Sequence, residues 1–175
     1  MSRLVSWRYC PVCGGELVRD GDGLYGKCGE CGRSWYKNSI PTVSVIIYDK
    51  DNPCVVLMSR RGIEPKKGAL DVVGGFVDFG ESPEEAIKRE VLEEVGVELS
   101  EFRFLGHFFG DDYVYQDRVL YCLDSCFIVG VDRGIKFKPM DDVVGLEWVD
   151  LKERVPELAF LSNRKGLRAY IDRFC

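Results

Sequence analysis

The stretch REVLEEVG, Arg89 to Gly96, crowds three glutamates onto one side of a helix. With about 100° per residue, Glu93 falls near −60° and Glu94 near +40° of Glu90. Ile87, Val91, Leu92 and Val95 fill a neighbouring arc from about 60° to 200°. One face is therefore built for a core, and the face beside it is densely acidic. Like charges one turn apart cost about a few tenths of a kcal/mol per pair, so a positive group is expected there. The helix is well bounded. Ser82 is a good N-cap, Pro83 fills the first helical position and Glu85 completes a capping box. Gly96 sits where a C-terminal glycine belongs, so the helix should end near Val95.

Strand signals surround this helix. PTVSVIIYD (41–49) and PCVVLMSRR (53–61) are β-rich runs around the turn DKDN, and GIEPKKGAL (62–70) reads as a loop. DVVGGFV (71–77) reads as a short buried strand broken at Gly74 and Gly75. FRFLGHFFG (102–110), RVLYCLDSCFIVG (118–130) and GLEWVD (145–150) follow as strands, with a polar loop carrying Tyr113 and Tyr115 between the first two. A last helix is expected from Ser162, with an apolar stripe of Leu167, Tyr170, Ile171 and Phe174. Strands and helices intermingle, which gives a mixed α/β domain over residues 39–175.

Residues 1–38 differ in kind: they are rich in Gly and Cys and poor in aliphatic runs. Cys10 and Cys13 form one C-x-x-C pair and Cys28 and Cys31 a second, fourteen residues further on. A glycine follows each pair, which suits a tight turn whose amides point back at the sulfurs. Four thiolates at this spacing make a closed tetrahedral Zn²⁺ site, with DGDGLYGK turning a hairpin between them. So short a segment has too little apolar content to fold alone, and a metal would supply the missing stability. The alternative is four free or redox-active thiols. A structural role is expected of this ribbon rather than a nucleic-acid or partner contact.

Composition narrows the function classes. A net charge of −5 with no basic run makes nucleic acid an unexpected partner. No apolar run approaches the length that spans a bilayer, about eighteen residues, so no membrane association is expected. MSRLVSWRYC lacks the apolar core of a signal peptide, and a cytoplasmic location is the expectation.

Read outwards from the glutamates, GFVDFGESPEEAIKREVLEEVGV (75–97) fits Gly-x5-Glu-x7-Arg-Glu-U-x-Glu-Glu-x-Gly-U at every specified position, U being aliphatic. The matching residues are Gly75, Glu81, Arg89, Glu90, Val91, Glu93, Glu94, Gly96 and Val97. A solvated acidic face would explain the glutamates but not the glycines, Glu81 and Arg89 at their offsets. This pattern resembles the signature of the Nudix hydrolase family. Independently of that resemblance, three carboxylates on one helical face form an all-oxygen site for a hard cation, Mg²⁺ or Mn²⁺. Ala86, on the same arc, is expected to leave space there.

The resemblance implies a Nudix α/β/α sandwich with a mixed sheet, preceded by the zinc ribbon. It implies hydrolysis of a nucleoside diphosphate linked to another group. Glu90, Glu93 and Glu94 match positions that hold the metal or act as base, the Gly75 carbonyl often joins them, and Arg89 and Glu81 match residues that orient the glutamates. Asp142, with Asp141 as runner-up, is the candidate for a further acid from a later loop. The order of parts, ribbon then YKNSIPTVSVII then box, resembles the NADH pyrophosphatase branch and its zinc-ribbon relatives. That branch carries Ser-Gln-Pro-Trp-Pro-Phe-Pro after the box, whereas residues 98–115 here read ELSEFRFLGHFFGDDYVY. ADP-ribose or an NADH-like dinucleotide is the expected substrate, with AMP as product. The alternatives are a nucleoside triphosphate pyrophosphohydrolase and a non-catalytic nucleotide sensor. A homodimer is implied by the family alone.

The remaining residues carry weaker readings. Arg60 and Arg61, at a strand end, are candidates for phosphate, and Tyr113 and Tyr115 for stacking on a base. His107, the sole histidine, is expected to be structural. Cys122 and Cys126, four apart in a strand, are expected as small core residues, and Trp148 as core.

Overall fold

The computed structural model describes residues 8–19, 21 and 25–175. Residues 20 and 22–24, where the DGDGLYGK hairpin was expected to turn, and residues 1–7 of the opening stretch lie outside the described residues. The strands β1 (Leu17–Arg19), β2 (Tyr25–Cys28) and β3 (Ser34–Tyr36) form a small antiparallel sheet in that order. Cys10, Leu17 and Cys28 are its buried centre, with Cys31 and Trp35 packed against them.

The rest is one seven-stranded mixed sheet with a helix on each face. Its strands are β4 (Ile40–Asp49), β5 (Asn52–Arg61), β6 (Leu70–Asp71), β7 (Val73–Phe76), β8 (Arg103–Tyr115), β9 (Arg118–Val131) and β10 (Val143–Asp150). The order is β10-β5-β4-β9-β8; only β4 and β9 run parallel. Side chains alternate along β4. Val43, Val45 and Ile47 meet α1 (Pro83–Val95) in one core, and Ile46 meets α2 (Leu161–Phe174) in the other. The expected α/β/α sandwich with a mixed sheet is observed. No helix among the described residues is long and apolar enough to cross a membrane.

The β4–β5 hairpin is forked. Its tip pairs Ile47 with Leu57 and Asp49 with Asn52 around the two-residue turn Lys50–Asp51. Further along, β4 pairs instead with β7, from Thr42↔Phe76 to Val45↔Val73, and β5 pairs with β6. The 70–76 segment thus wedges the fork open. Gly74 makes the wedge possible. Its φ of 149° is a conformation side chains rarely adopt, and a Cβ there would run into the Val43 carbonyl and stand 2.7 Å from Ser44 Cα.

The helix α1 starts and stops as its residues dictate. Ser82 Oγ accepts from Glu85 N, the Glu85 side chain accepts from Ser82 N, and Gly96 closes the helix with φ 68°. Two residues depart from expectation. Ala86 is fully buried in the core under β4 and β7 rather than beside open space, because α1 packs against these strands and only a small side chain lets it approach them. Leu92, at the margin of the apolar arc, is 45% exposed.

The tyrosine loop is also corrected. β8 does not stop at Gly110 but shifts register between Gly110 and Tyr113 and continues to Tyr115. The turn to β9 is only Gln116–Asp117, both with positive φ, as a tight hairpin requires. The polar pair Asp111–Asp112 hid this bulge. Asp112 points inward and accepts from Leu161 N at 2.9 Å, so a residue of β8 caps α2 in place of its own N-cap Phe160, which makes no side-chain cap. A further link was not legible: Cys54 of β5 is disulfide-bonded to Cys175, just past α2. Cys122 and Cys126 are buried in the sheet as expected. Trp148 packs partly buried against the α1-side core, and exposed His107 meets Ser125 Oγ at 3.2 Å.

Replacing Gly74 should therefore break the wedge. Gly74→Ala is expected to lose about 3 kcal/mol or more of stability, from backbone strain and overpacking together. Chemical denaturation checks it; a loss under about 1 kcal/mol would contradict the forked arrangement.

Candidate functional site

A cleft of about 330 Å³ opens where β4, β7 and β9 meet the acidic side of α1. Its lining includes Glu90, Glu93, Glu94, Arg89, Gly75 and Asp142 from the signature and its expected fifth acid. It also includes Arg61 and Tyr113, but Tyr115 is not among the lining residues and is 49% exposed on β8. The two tyrosines share one face of β8, but Tyr115 stands at the hairpin tip opposite Arg118, whereas Tyr113 stacks on Phe160, ring centroids 4.7 Å apart.

Arg89 organises the acids. Its Nε and Nη2 each donate to Glu81 at 2.9 Å, Nη1 donates to Glu90 at 2.8 Å and to Glu93 at 3.0 Å, and Nη2 also donates to the Phe76 carbonyl at 3.0 Å. The positive group demanded by the glutamate cluster is thus a neighbour on the same helix. Its guanidinium holds the Glu81 carboxyl below its usual range and is itself held more firmly protonated by Glu81.

Glu94 is arranged differently. It is 8% exposed and its carboxylate accepts from Gly74 N at 3.0 Å. Burial pushes its pKa up to about 8, against the Gly74 amide, with Glu90, Asp71 and Asp142 adding repulsion. Burial also raises Glu90, against the pull of Arg89, and raises Asp142, to which Asp141 adds. Gly75 lies against Glu90; a Cβ there would stand 2.6 Å from the Glu90 carboxyl carbon. These oxygen donors, crowded, buried and short of positive charge, fit a hard divalent cation.

Of the strand-end arginines Arg61 lines the cleft and Arg60 does not, and Asp71, Asp124, Phe160 and Asn163 join it unanticipated. Arg61 donates through Nε to the Pro65 carbonyl at 2.9 Å, stands 3.9 Å from Asp71, and lies over the Phe160 ring at 4.9 Å. Arg60, its neighbour, points away to Glu147 and Gly68. Asp71 is 3% exposed and accepts from Asn163 Nδ2 at 2.6 Å. Asp124 is 2% exposed among the apolar residues of β9. Burial pushes both carboxyls up to about 6. A lone acid inside an apolar strand, as in CLDSCF, was a readable signal for Asp124. Phe160 and Asn163 had none, because only the packing of α2 brings them here.

In the small sheet, the four sulfurs of Cys10, Cys13, Cys28 and Cys31 all lie within 4.8 Å of one another. Cys10 and Cys31 stand 3.8 Å apart and Cys13 and Cys28 3.4 Å. A tetrahedron with Zn–S bonds of about 2.3 Å has edges of about 3.8 Å, so the residues fit zinc. Gly14 and Gly32, both with positive φ, turn the chain after each pair.

Fold and site together define an α/β/α sandwich whose cleft is edged by an arginine-organised glutamate helix. The family model of the NUDIX domain matches residues 38–170, and the chain belongs to that family. The NAD-capped RNA hydrolase NudC of Vibrio parahaemolyticus is 26% identical over 151 residues, covering 86% of this chain and 54% of the relative. The NudC of Haemophilus influenzae strain PittGG is 29% identical over 155 residues, covering 89% and 56%. The chain thus spans about half the length of these curated relatives. Among solved structures, the NUDIX domain of Shewanella oneidensis NrtR, complexed with ADP ribose, superposes with a TM-score of 0.66 at 18% identity, covering 80% of this chain and 91% of that one. A NUDIX hydrolase from Nitrosomonas europaea gives 0.63 at 21% identity, covering 95% and 92%. At these identities the structures support the fold.

Arg89→Lys should keep one charge but lose the fork that reaches Glu81, Glu90 and Glu93 together. If the cleft binds Mg²⁺ through these glutamates, its affinity should fall about 10- to 100-fold, read by calorimetric titration of the ion. Unchanged affinity would show that Arg89 does not set the glutamate geometry.

Proposed function

We propose that this chain is a Mg²⁺- or Mn²⁺-dependent pyrophosphohydrolase that cleaves the diphosphate of ADP-ribose or an NADH-like dinucleotide and releases AMP. The observation that carries the reading is the Arg89-held glutamate set facing a cleft lined by the guanidinium of Arg61 and an aromatic wall. The names of the curated relatives, which concern NAD-capped RNA, and the ADP ribose bound by the NrtR domain support a nucleoside diphosphate as the shared element.

Glu90, Glu93 and Glu94, with the Gly75 carbonyl, would hold the cation. Bound there, it supplies positive charge to the phosphoryl oxygens and acidifies water for attack on phosphorus. The chain's own residues do the rest. Arg89 and Glu81 keep Glu90 and Glu93 in one orientation. Where Glu94 is not itself a ligand of the cation, it is the candidate proton acceptor, held by the Gly74 amide, and Asp142 is the second candidate. Arg61 faces the diphosphate, and Tyr113 with Phe160 offers a planar group a stacking surface. The four cysteines would hold a structural Zn²⁺ in a ribbon over residues 1–38, ahead of a catalytic domain over 39–175. The family's homodimer is read by light scattering.

Two measurements test this. Purified protein with Mg²⁺ should release AMP from ADP-ribose or NADH, or nicotinamide mononucleotide from NAD-capped RNA, and Glu94→Gln should lower turnover about 10²- to 10⁴-fold while remaining folded. Preference for a nucleoside triphosphate would move the substrate class, and near-normal turnover of the variant would remove Glu94 from the mechanism.

For the ribbon, metal analysis should find about one zinc per chain, lost in Cys28→Ser. Amides of β1–β3 should then exchange rapidly while those of β4 and β9 keep their protection. Full zinc retention would refute the four-thiolate site.

A further inference from the structure

Asp124 is a buried charge that the proposed hydrolysis does not use. It stands in the middle of β9, where the parallel register sets it beside Thr42. It is 2% exposed, yet it lines the cleft. Thr42 Oγ1 donates to its Oδ1 at 3.1 Å and Ser44 Oγ donates to its Oδ2 at 2.5 Å. Among the described residues no ion pair reaches it: Arg61 stands beside Asp71, and Arg89 is engaged with Glu81, Glu90 and Glu93. Two neutral hydroxyls are thin compensation for a carboxylate this buried, and each of its oxygens keeps acceptor capacity in reserve.

The surroundings leave room for a donor. Cys122, two residues away on the same face of β9, is small, and its cross-strand partner on β8 is Gly110, which also lines the cleft. Tyr113 and Phe160 form an aromatic wall of the same cleft. A carboxylate accepts and cannot donate, and it repels phosphate. It therefore suits the uncharged end of a nucleotide and drives the diphosphate towards the end where Arg61 stands.

We propose that Asp124 is a specificity-determining residue that accepts hydrogen bonds from the nucleoside portion of the substrate, selecting a group that presents donors at the floor of the cleft. Resting on the nucleotide reading above, this names the residue that fixes which way round the nucleotide lies. The donors are either the N–H groups of a base edge or the vicinal hydroxyls of a ribose.

Calorimetric titration of AMP, GMP and 2′,3′-dideoxy-AMP into wild type, Asp124→Asn and Asp124→Ser tests the assignment without requiring any bond to break. Wild type is expected to bind at least one mononucleotide, and Asp124→Asn to weaken it about 10- to 100-fold, the worth of hydrogen bonds to a charged group. Dideoxy-AMP bound equally by wild type and variant, while AMP is weakened, assigns the ribose hydroxyls. A loss that differs between AMP and GMP and persists in dideoxy-AMP assigns the base edge. Asp124→Ser keeps a hydroxyl beside Thr42 and Ser44 and supplies the same comparison should the amide variant misfold, as judged by its thermal melt. Equal weakening of all three ligands, no weakening, or no mononucleotide bound by wild type overturns the proposal. A protein that binds AMP through Asp124 yet cleaves no dinucleotide loses the proposed reaction and keeps the subsite. One that cleaves dinucleotides with AMP affinity indifferent to Asp124 loses the subsite alone.

Discussion

The guanidinium of Arg89 is the constraint on which the cleft depends. Without it, three carboxylates on one helical arc and a fourth from Glu81 would repel one another in a partly buried place. With it, Glu81, Glu90 and Glu93 share one planar cation, and the Phe76 carbonyl is drawn in as well. The Arg89 side chain is 27% exposed, with Glu81 at 15% and Glu90 at 13%. Bidentate geometry in such a setting holds position as much as it adds energy. Arg89 also ties the loop between β7 and α1 to the helix, so the capping box at Ser82 and the charge network reinforce one another.

What Arg89 does for the acids, the forked hairpin does for the backbone. β4 leaves β5 half-way and takes β7 as its partner, and this places Gly74 and Gly75 at the glutamate helix. Gly74 contributes its amide to Glu94, and Gly75 contributes the absence of a side chain beside Glu90. The opposite wall comes from the other face of the sheet. There Asp112 gathers Lys66, Arg164 and the Leu161 amide, which fixes the start of α2 and with it Phe160 and Asn163. The cleft is thus assembled from both layers of the sandwich, and each layer is anchored by one charged residue.

How much of this the sequence disclosed follows from the range of the interactions. α1 with both caps and the two long hairpin strands rest on neighbours within a few residues, the four-cysteine cluster rests on two C-x-x-C pairs whose spacing is itself a signal, and each was readable. The signature residues were readable because their offsets are fixed by one turn and one helix. Long-range effects were not. Asp112 looked like a loop residue because its partners Leu161 and Arg164 lie about fifty residues further on in α2. Tyr113 and Tyr115 were indistinguishable because they share one face of the strand, and only the packing of Phe160 on Tyr113 separates them. Ala86 was assigned to open space because a helical wheel shows which residues share an arc but not what covers it. The Cys54–Cys175 link spans a sequence separation of 121 and left no trace in spacing.

The charge of the cleft bears on the metal more strongly than the signature does. Among the described residues Arg61 and Arg89 are the only cationic ones in its lining, and carboxylates outnumber them several-fold. Arg89 is already saturated by acids, which leaves Arg61 as the one guanidinium facing a substrate. A diphosphate brings further negative charge into a place where burial has already raised the pKa of Glu90 and Glu94. Coulomb repulsion among such groups a few ångströms apart amounts to several kcal/mol even at an effective dielectric constant of about 20. One arginine does not offset that. We therefore infer that a divalent cation on the glutamates would favour binding of a nucleoside diphosphate as well as its cleavage.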